Sequence, residues 1–354
     1  MKFAHLFDPL FVIPIVGLSS LSLSVIASSN QSLFINQLAF MIVGLIIFYL
    51  FAQIDYRIFS HLLGFLYFGS LFLLFLVFLG PSVRGATRWI DILGFRIQSS
   101  EIIKPFIFII LAQILTEKPL IKKKYLAFIL AIFLPILFMV FKQPDLGNTI
   151  VFLGVFVILL VVGGLSIWYF LLSGVISAVF IPLVWSLLHG YQKSRIISFL
   201  NPYSDPKGAG YNALQAIIAI GSGGLWGLGL GRGTQSHLLF LPEFHTDFAF
   251  ATLVEEFGFI GGAMVIVFYI ILLLRILQIG RNCPDKFGQL ICVGVFAQII
   301  LSVFINIGMN LGIIPITGIT LPLISYGGSS IISIFISLGL VLSVAGRSHS
   351  LLVQ

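Results

Sequence analysis

Charge is what this sequence has least of: Asp, Glu, Lys and Arg make up 9 % of its 354 residues, whereas 59 % are hydrophobic. A soluble globular domain carries about a quarter charged residues, so the composition excludes one. In a soluble protein the net charge of +7 would suggest nucleic acid as a partner. In a chain this apolar, the basic excess indicates membrane topology and an anionic ligand, and we expect no nucleic acid partner.

Cysteine is also scarce. Cys283 falls in a polar loop and Cys292 in an apolar segment, so we predict neither a structural disulfide nor a metal-binding cluster. The chain has no low-complexity linker, no clear internal repeat and no polar stretch long enough for a soluble domain. We therefore interpret residues 1–354 as a single transmembrane domain.

Long apolar runs are what the chain has most of. About 20 apolar residues in a helix cross a hydrocarbon core of about 30 Å, and a helix satisfies its own backbone hydrogen bonds there. We predict an all-α polytopic membrane protein with about ten transmembrane helices. Their approximate bounds are 9–28, 33–52, 62–80, 102–117, 125–141, 148–164, 166–189, 247–274, 288–311 and 327–345.

The distribution of basic residues predicts the orientation. An even number of spans places both termini on one side of the membrane. The basic loop 117–124, together with Arg275, Arg281 and Lys286, marks that side as cytoplasmic, because short cytoplasmic loops are enriched in Lys and Arg. The longest connection, about 190–246, then lies outside, between the seventh and eighth spans.

Charges of both signs gather on the predicted outer side, which suggests a polar site that opens outward. The cations considered for binding an anionic group are Arg88, Lys104, Arg195 and Arg232. Glu101 and Lys104 stand three residues apart on one helix face, and a mutual ion pair is the alternative interpretation. Asp145 precedes the sixth span, where an Asp is commonly a helix cap.

Asp247 stands in PEFHTDFAF, where hydrophobicity resumes after the longest loop. An ionisable residue at that depth is costly and is by default a functional candidate. Glu243 and His245 are close enough to change its pKa, in a direction that the sequence leaves open. Glu255 and Glu256 face different directions, so at most one of them shares a cavity with Asp247. Internal pairing that fixes helix packing is the alternative for these two.

Seven glycines fall between residues 221 and 233. Backbone N–H groups in such a run can cradle a phosphate, and close helix packing explains the run nearly as well. The apolar piece 213–220 that precedes it is too short to span a membrane, so we expect it to be interfacial or re-entrant.

Five long motifs carry a resemblance to a known family. In chain order they are RGATRWI with SSEIIK, QPDLGNT, GYNALQAIIAIGSGGLWGLGLGRGTQS, LPEFHTDFAFATLVEEFGFIG and PITGITLPLISYGGSS. The chain resembles the SEDS proteins, named for shape, elongation, division and sporulation, over essentially its whole length. The GTQS and PITGI segments are most similar to the RodA branch of that family.

The resemblance implies a function. SEDS proteins are peptidoglycan glycosyltransferases that polymerise lipid II into glycan strands at the outer face of the bacterial plasma membrane, and the RodA branch serves cell elongation and shape. They work with a class B penicillin-binding protein, a transpeptidase that crosslinks the strands. By motif, Asp247 matches the essential aspartate, and Glu101, Lys104 and Asp145 match other important positions. We expect Asp247 to be a general base, and a divalent cation, Mg²⁺ or Mn²⁺, is the cofactor that the chemistry suggests.

Three alternatives stay open at this point. A lipid II flippase would also carry charges inside its bundle and broken helices, although the one-sided charge favours the enzyme. A structural scaffold for a partner synthase is the second alternative. A division or sporulation paralogue of the same family is the third.

Overall fold

The computed structural model describes residues 8–80, 88–92, 95–117, 123–166, 168–169, 174, 185–186, 190–205 and 208–351. In chain order the elements are α1 (Pro9–Ser29), α2 (Gln31–Gln53), α3 (Ile58–His61), α4 (Leu63–Val77), β1 (Trp89–Ile92), β2 (Phe95–Gln98), α5 (Ser99–Ile102), α6 (Lys104–Glu117), α7 (Lys123–Lys142), α8 (Leu146–Val162), α9 (Gly190–Leu200), α10 (Ala209–Ser222), α11 (Thr234–His237), α12 (Ala249–Asn282), α13 (Lys286–Asn310) and α14 (Gly328–Leu351).

The prediction of a helical, multi-pass membrane protein is confirmed. Within the described ranges, seven helices are long and apolar enough to cross a membrane, and α4 and α8 are shorter apolar helices. These helices coincide with every predicted span except the seventh, 166–189, which lies almost entirely outside the described residues. Most of the predicted basic loop 117–124 lies outside them too.

Local capping explains how the first two helices are joined. Asn30 ends α1 and begins α2: its side-chain oxygen accepts hydrogen bonds from the backbone N–H groups of Ser32 (2.9 Å) and Leu33 (3.2 Å). These are donors that the first turn of a helix leaves without a helical partner. A single residue thereby turns the chain, and α1 packs against α2.

Helices α13 and α14 and the α5–α6 segment form the centre of the bundle, while α2 and α7 are mostly exposed. Lipid is as apolar as a leucine side chain, so packing rather than hydrophobicity distinguishes the interior of such a bundle. Phe133 and Phe156 stack with their centroids 4.0 Å apart. The N-terminal α2 and the C-terminal α14 pack along each other, which brings the two ends of the chain together.

Helix α12 is broken at Gly258, where φ is 70° and ψ is −168°. The break frees backbone groups, and each must find a partner at membrane depth. The glycine-rich segment supplies them: Leu228 N donates to Glu255 O (2.9 Å), Gly229 N donates to Glu256 O (3.0 Å), and Gly224 O accepts from Phe259 N (2.8 Å).

This pairing explains the glycine run. A Cβ on Gly227 would stand 2.1 Å from Glu256 O, and one on Gly258 would stand 2.3 Å from Gly227 N. Of the two interpretations of the run, close packing is the one that these contacts support. The preceding helix α10 has 14 residues, or about 21 Å, so it is too short to cross the membrane, as predicted.

Candidate acid–base site at one end of the bundle

Asp247 lies in a turn, two residues before α12, and its side chain is partly exposed. Burial raises the pKa of Asp247 from 3.8 to about 6; Arg195 and Arg88 oppose that rise, and Glu243 and Asp145 add to it. Arg195 comes from α9, Arg88 from the residue before β1, Asp145 from the start of α8 and Glu243 from the turn that carries Asp247 itself. The fold therefore brings together three of the predicted substrate-binding residues, Arg88, Asp145 and Arg195, around the predicted catalytic one.

Gly318 lies next to both the Asp247 carboxylate and the Arg195 guanidinium. A Cβ built on Gly318 would lie 3.4 Å from Asp247 Oδ2 and 3.7 Å from Arg195 Nη1. Its φ of 78° is in the left-handed region that favours glycine. The carboxylate and the guanidinium therefore face the same bare stretch of backbone, where a substrate group can approach both.

Arg88 organises the loop that carries Asp145. Its guanidinium donates to the carbonyl oxygens of Gln143 (Nε to O, 3.3 Å) and Pro144. Pro144 has φ 26°, so the loop bends sharply just before Asp145. This contact fixes the position of a positive charge close to the candidate base.

The Asp145 carboxylate is buried and fully engaged. It accepts hydrogen bonds from Gln98 Nε2 (2.8 Å), Ser100 Oγ (2.9 Å), and Asn148 N and Nδ2 (3.2 and 2.9 Å). The bond from Asn148 N is the helix cap that the sequence suggested for α8. Asp145 thus ties the β1–β2 hairpin, α5 and α8 together.

Glu101 and Lys104 form the ion pair that the sequence offered as an alternative. Lys104 Nζ lies 2.6 Å from Glu101 Oε1, and both residues are buried. A buried charge without its partner is strongly destabilising. Each residue of the pair therefore offsets the free-energy cost of burying the other inside the bundle.

Arg232 is exposed, on the segment that links the glycine run to α11. That segment is bound by the two glutamates of α12. Glu255 accepts from Gln235 N (2.7 Å) and Ser236 Oγ (2.8 Å), and Glu256 accepts from Gly231 N (3.1 Å).

The internal-pairing interpretation therefore describes these two glutamates. Glu256 also lies 3.0 Å from His237 Nε2 and accepts from Ser28 Oγ (2.7 Å).

Sequence reasoning missed the residues that support Asp247. Asn306 and Asn310 of α13 donate to its backbone carbonyl, and Ser325 donates to the carbonyl of Thr246. A signal was present, because two amides one helical turn apart in an apolar span are polar residues at membrane depth. Gln98, Ser100 and Asn148 gave no such signal, since each lies in or beside a polar loop.

The geometry defines a class of protein. A membrane bundle holds, at one end, a carboxyl group with a pKa near neutrality that interacts electrostatically with two arginines. Such a site can accept a proton from one group while binding an anionic neighbour. The class is a polytopic membrane protein with a candidate acid–base site.

Comparison with known proteins narrows that class. Residues 2–350 match the family model described as "Cell cycle protein", which covers FtsW, RodA and SpoVE. The chain belongs to this family, the SEDS proteins, as its motifs indicated.

Named relatives support the assignment. The chain is 42 % identical to the peptidoglycan glycosyltransferase MrdB of Escherichia coli K12, over 85 % of this chain and 82 % of that protein. It is 38 % identical to stage V sporulation protein E of Bacillus subtilis 168, over 89 % and 87 % of the two chains.

Two solved structures share the fold. A chain from a peptidoglycan synthase complex that coordinates polymerisation and crosslinking is 31 % identical, with a TM-score of 0.83 over 96 % of this chain and 97 % of that one. The rod shape determining protein RodA of Thermus thermophilus is 27 % identical, with a TM-score of 0.72 over 96 % of each chain.

Proposed function

We propose that this protein is a peptidoglycan glycosyltransferase that polymerises lipid II into glycan strands during cell elongation, with Asp247 as its general base. The observation that carries the proposal is the Asp247 carboxyl group, with a pKa of about 6, which approaches Gly318 together with Arg195 and interacts electrostatically with Arg88. A base is most effective when its pKa lies near the working pH. The MrdB relative, named a peptidoglycan glycosyltransferase, supplies the reaction class.

In the proposed reaction a sugar hydroxyl of one substrate attacks the anomeric carbon of a lipid-diphosphate-linked sugar. The new glycosidic C–O bond forms as the bond from that carbon to the diphosphate oxygen breaks. The hydroxyl proton passes to the Asp247 carboxylate, and the electron pair of the broken bond leaves on the diphosphate. Arg195, which faces the same backbone as Asp247, stabilises the charge that develops on the departing group.

The surroundings of Arg195 suit a lipid-linked anion. A mainly apolar groove beside it is lined by Phe199, Ala213, Ile217, Ile314 and Pro315, among others. A charged head bound at Arg195 would thus have apolar surface next to it for the first part of its lipid chain. The rest of the chain would stay in the bilayer, so a separate soluble substrate domain is unnecessary.

A divalent cation, Mg²⁺ or Mn²⁺, is part of the proposal. Within the described ranges, no group of three or more His, Cys, Asp or Glu residues could hold a metal by itself. Mg²⁺ commonly takes one or two protein carboxylates together with substrate phosphate oxygens. The cation would be held mainly by phosphate oxygens of the substrate and would neutralise charge on the leaving diphosphate.

We also propose the orientation that the basic residues predict: both termini cytoplasmic and Asp247 at the outer face of the bacterial plasma membrane. The partner is a class B penicillin-binding protein. The similar chain in a complex that coordinates polymerisation and crosslinking supports that partner.

The arrangement of charge favours the enzyme over a flippase. At the end of the bundle away from Asp247, the carboxylates are engaged between elements: Asp8 with Arg275, Asp55 with Arg347, and Tyr56 with Asp285. Asp247, in contrast, faces backbone that a ligand can approach. A transporter would need a ligand site reachable from both ends.

The test is glycan-strand formation from purified lipid II in detergent, with and without the cognate penicillin-binding protein carrying a disabled transpeptidase. Asp247→Asn is the test variant, and Asp91→Asn is its matched control, because Asp91 is an exposed aspartate whose carboxylate lies 3.8 Å from Arg96. We expect polymer from the wild type and the control and none from folded Asp247→Asn. Equal polymer from all three would remove Asp247 from its role, and no polymer under any condition would contradict the enzyme assignment.

The pH dependence tests the same base. Because the carboxyl must be ionised to accept a proton, kcat should fall on the acid side with a midpoint at pH about 6. A rate that stays constant from pH 7 down to pH 5 would contradict the assignment of Asp247 as general base.

A further inference from the structure

The main chain at Asp247 is fixed by hydrogen bonds to three consecutive carbonyl oxygens, those of residues 245, 246 and 247. His245 O accepts from Tyr326 N (2.8 Å), and Thr246 O accepts from Ser325 Oγ (2.6 Å). Asp247 O accepts from the side-chain amides of Asn306 (3.0 Å) and Asn310 (3.1 Å). All the donors come from α13 or from the segment that joins α13 to α14.

Asn310 uses both ends of its side chain. Its Nδ2 donates to Asp247 O, while its Oδ1 accepts from Ala251 N (3.1 Å). Ala251 lies in the first turn of α12, whose N-cap residue Phe248 has no side chain able to cap. One amide therefore caps the helix from outside and fixes the residue that leads into it.

Asn306 connects the same carbonyl to the far side of the site. Its Nδ2 donates to Asp247 O and to Ile319 O (2.7 Å). Ile319 follows Gly318, the residue that both Asp247 and Arg195 approach. The amide thus sets the distance between the backbone carrying the carboxylate and the backbone facing it. Asn306 and Asn310 are both fully buried.

We propose that Asn306 and Asn310, together with Ser325, are positioning residues for Asp247, which act by fixing its main chain and never touch the substrate. This inference rests on the proposed function, because it assigns the clamp a role in the same reaction. A carboxylate displaced by about 1 Å loses on the order of 100-fold in rate. Loss of the hydrogen bonds to the main-chain carbonyl would let the carboxylate shift although no side chain that touches it has changed.

The test variants are Asn310→Leu and the milder Ser325→Ala in the purified full-length protein. Each has a matched control at a buried polar residue away from Asp247. Gln298→Leu changes an amide on the same helix that accepts from Ser337 (3.0 Å), and Ser337→Ala changes that serine. Asn310→Leu should lower kcat by about 100-fold with KM changed less than about threefold, whereas the controls keep kcat within about twofold.

A second readout is independent of catalysis. A hydrophobic carbodiimide labels protonated carboxyl groups, so the labelling of Asp247, followed by mass spectrometry against pH, reports the pKa of that carboxyl. Arg195, Arg88, Asp145 and Glu243 act on this carboxyl electrostatically, and all four are unchanged in these variants. The midpoint should be at pH about 6 in the wild type and move towards about 4 in Asn310→Leu, because a released carboxyl regains water.

The two readouts separate this inference from the proposed function. Asp247→Asn, measured in parallel, decides whether the carboxyl is needed for polymerisation at all. The labelling midpoints show whether the asparagines and Ser325 position the Asp247 carboxyl, even if the Asp247→Asn variant remains active. Midpoints and kcat values in Asn310→Leu and Ser325→Ala that match those of their controls would overturn the inference.

Discussion

Replacing the candidate base should make the folded protein more stable. Asp247→Asn is nearly isosteric and removes a group whose pKa burial raises from 3.8 to about 6. One pKa unit corresponds to about 1.4 kcal/mol, so the full shift corresponds to about 3 kcal/mol. The side chain is partly exposed, and solvent screening reduces this, so we expect a gain of about 1–3 kcal/mol.

The gain should depend on pH in a defined direction. Folding disfavours the ionised form of Asp247, so its favourable contribution is complete below pH about 4 and is lost as pH rises through about 6. The asparagine variant does not titrate. The two proteins should therefore be similarly stable near pH 4, and the variant should be the more stable one at pH 7.5.

Thermal unfolding in detergent, followed at several pH values and one scan rate, measures this difference. Asp91→Asn is the control, because its exposed pair with Arg96 contributes at most about 1 kcal/mol. Asp247→Asn should melt several degrees above the wild type at pH 7.5, with no difference at pH 4. An unchanged or lower melting temperature at pH 7.5 would refute the reasoning, since burial would then not be what raises the pKa.

Three further substitutions test other parts of the structure. Gly318→Ala should strongly lower polymer formation by placing a methyl group beside the candidate catalytic carboxyl of Asp247, at a backbone conformation that strains alanine; wild-type polymer yield would contradict this. Gly227→Ala should cost about 1–3 kcal/mol in thermal unfolding through overpacking, whereas Gly221→Ala, which meets open space, should be neutral or gain up to about 1 kcal/mol; equal melting temperatures would argue against the packing of the glycine run. Lys104→Met should cost about 3–5 kcal/mol, and adding Glu101→Gln should recover part of that loss; a double variant as unstable as the single one would show that the two charges are not coupled.

Residues whose role depends on local context could be predicted from the sequence. Asp145 as a helix cap and Glu101 with Lys104 as an ion pair required only the spacing of a few residues along one helix. The apolar runs predicted the helices for the same reason, because the thickness of a membrane sets their length. Asp247 was identifiable because a charge is rare where an apolar run resumes.

Features that depend on partners far along the chain could not be predicted in this way. The break in α12 lies within an apolar run that reads as one continuous helix, and its cause is the backbone pairing with the glycine run. The sequence did not distinguish Arg232 from the other candidate cations, yet the fold places it on a segment that is hydrogen-bonded to Glu255 and Glu256. The two asparagines of α13 acquire their role only once Asp247 is folded against them.

The same loop that clamps Asp247 is itself held by the start of the chain. Ser22 Oγ donates to Ile324 O (2.6 Å), and Gln37 Nε2 donates to Ser325 O (3.2 Å). During synthesis, Asp247 enters the membrane well before the clamp exists, because Asn306, Asn310 and Ser325 are made later. The hydrogen bonds that hold Asp247 can therefore form only after α13 and the segment that follows it have been made and that segment has closed against α1 and α2. A chain that ends before Asn306 carries the Asp247 carboxylate without the residues that hold its main chain.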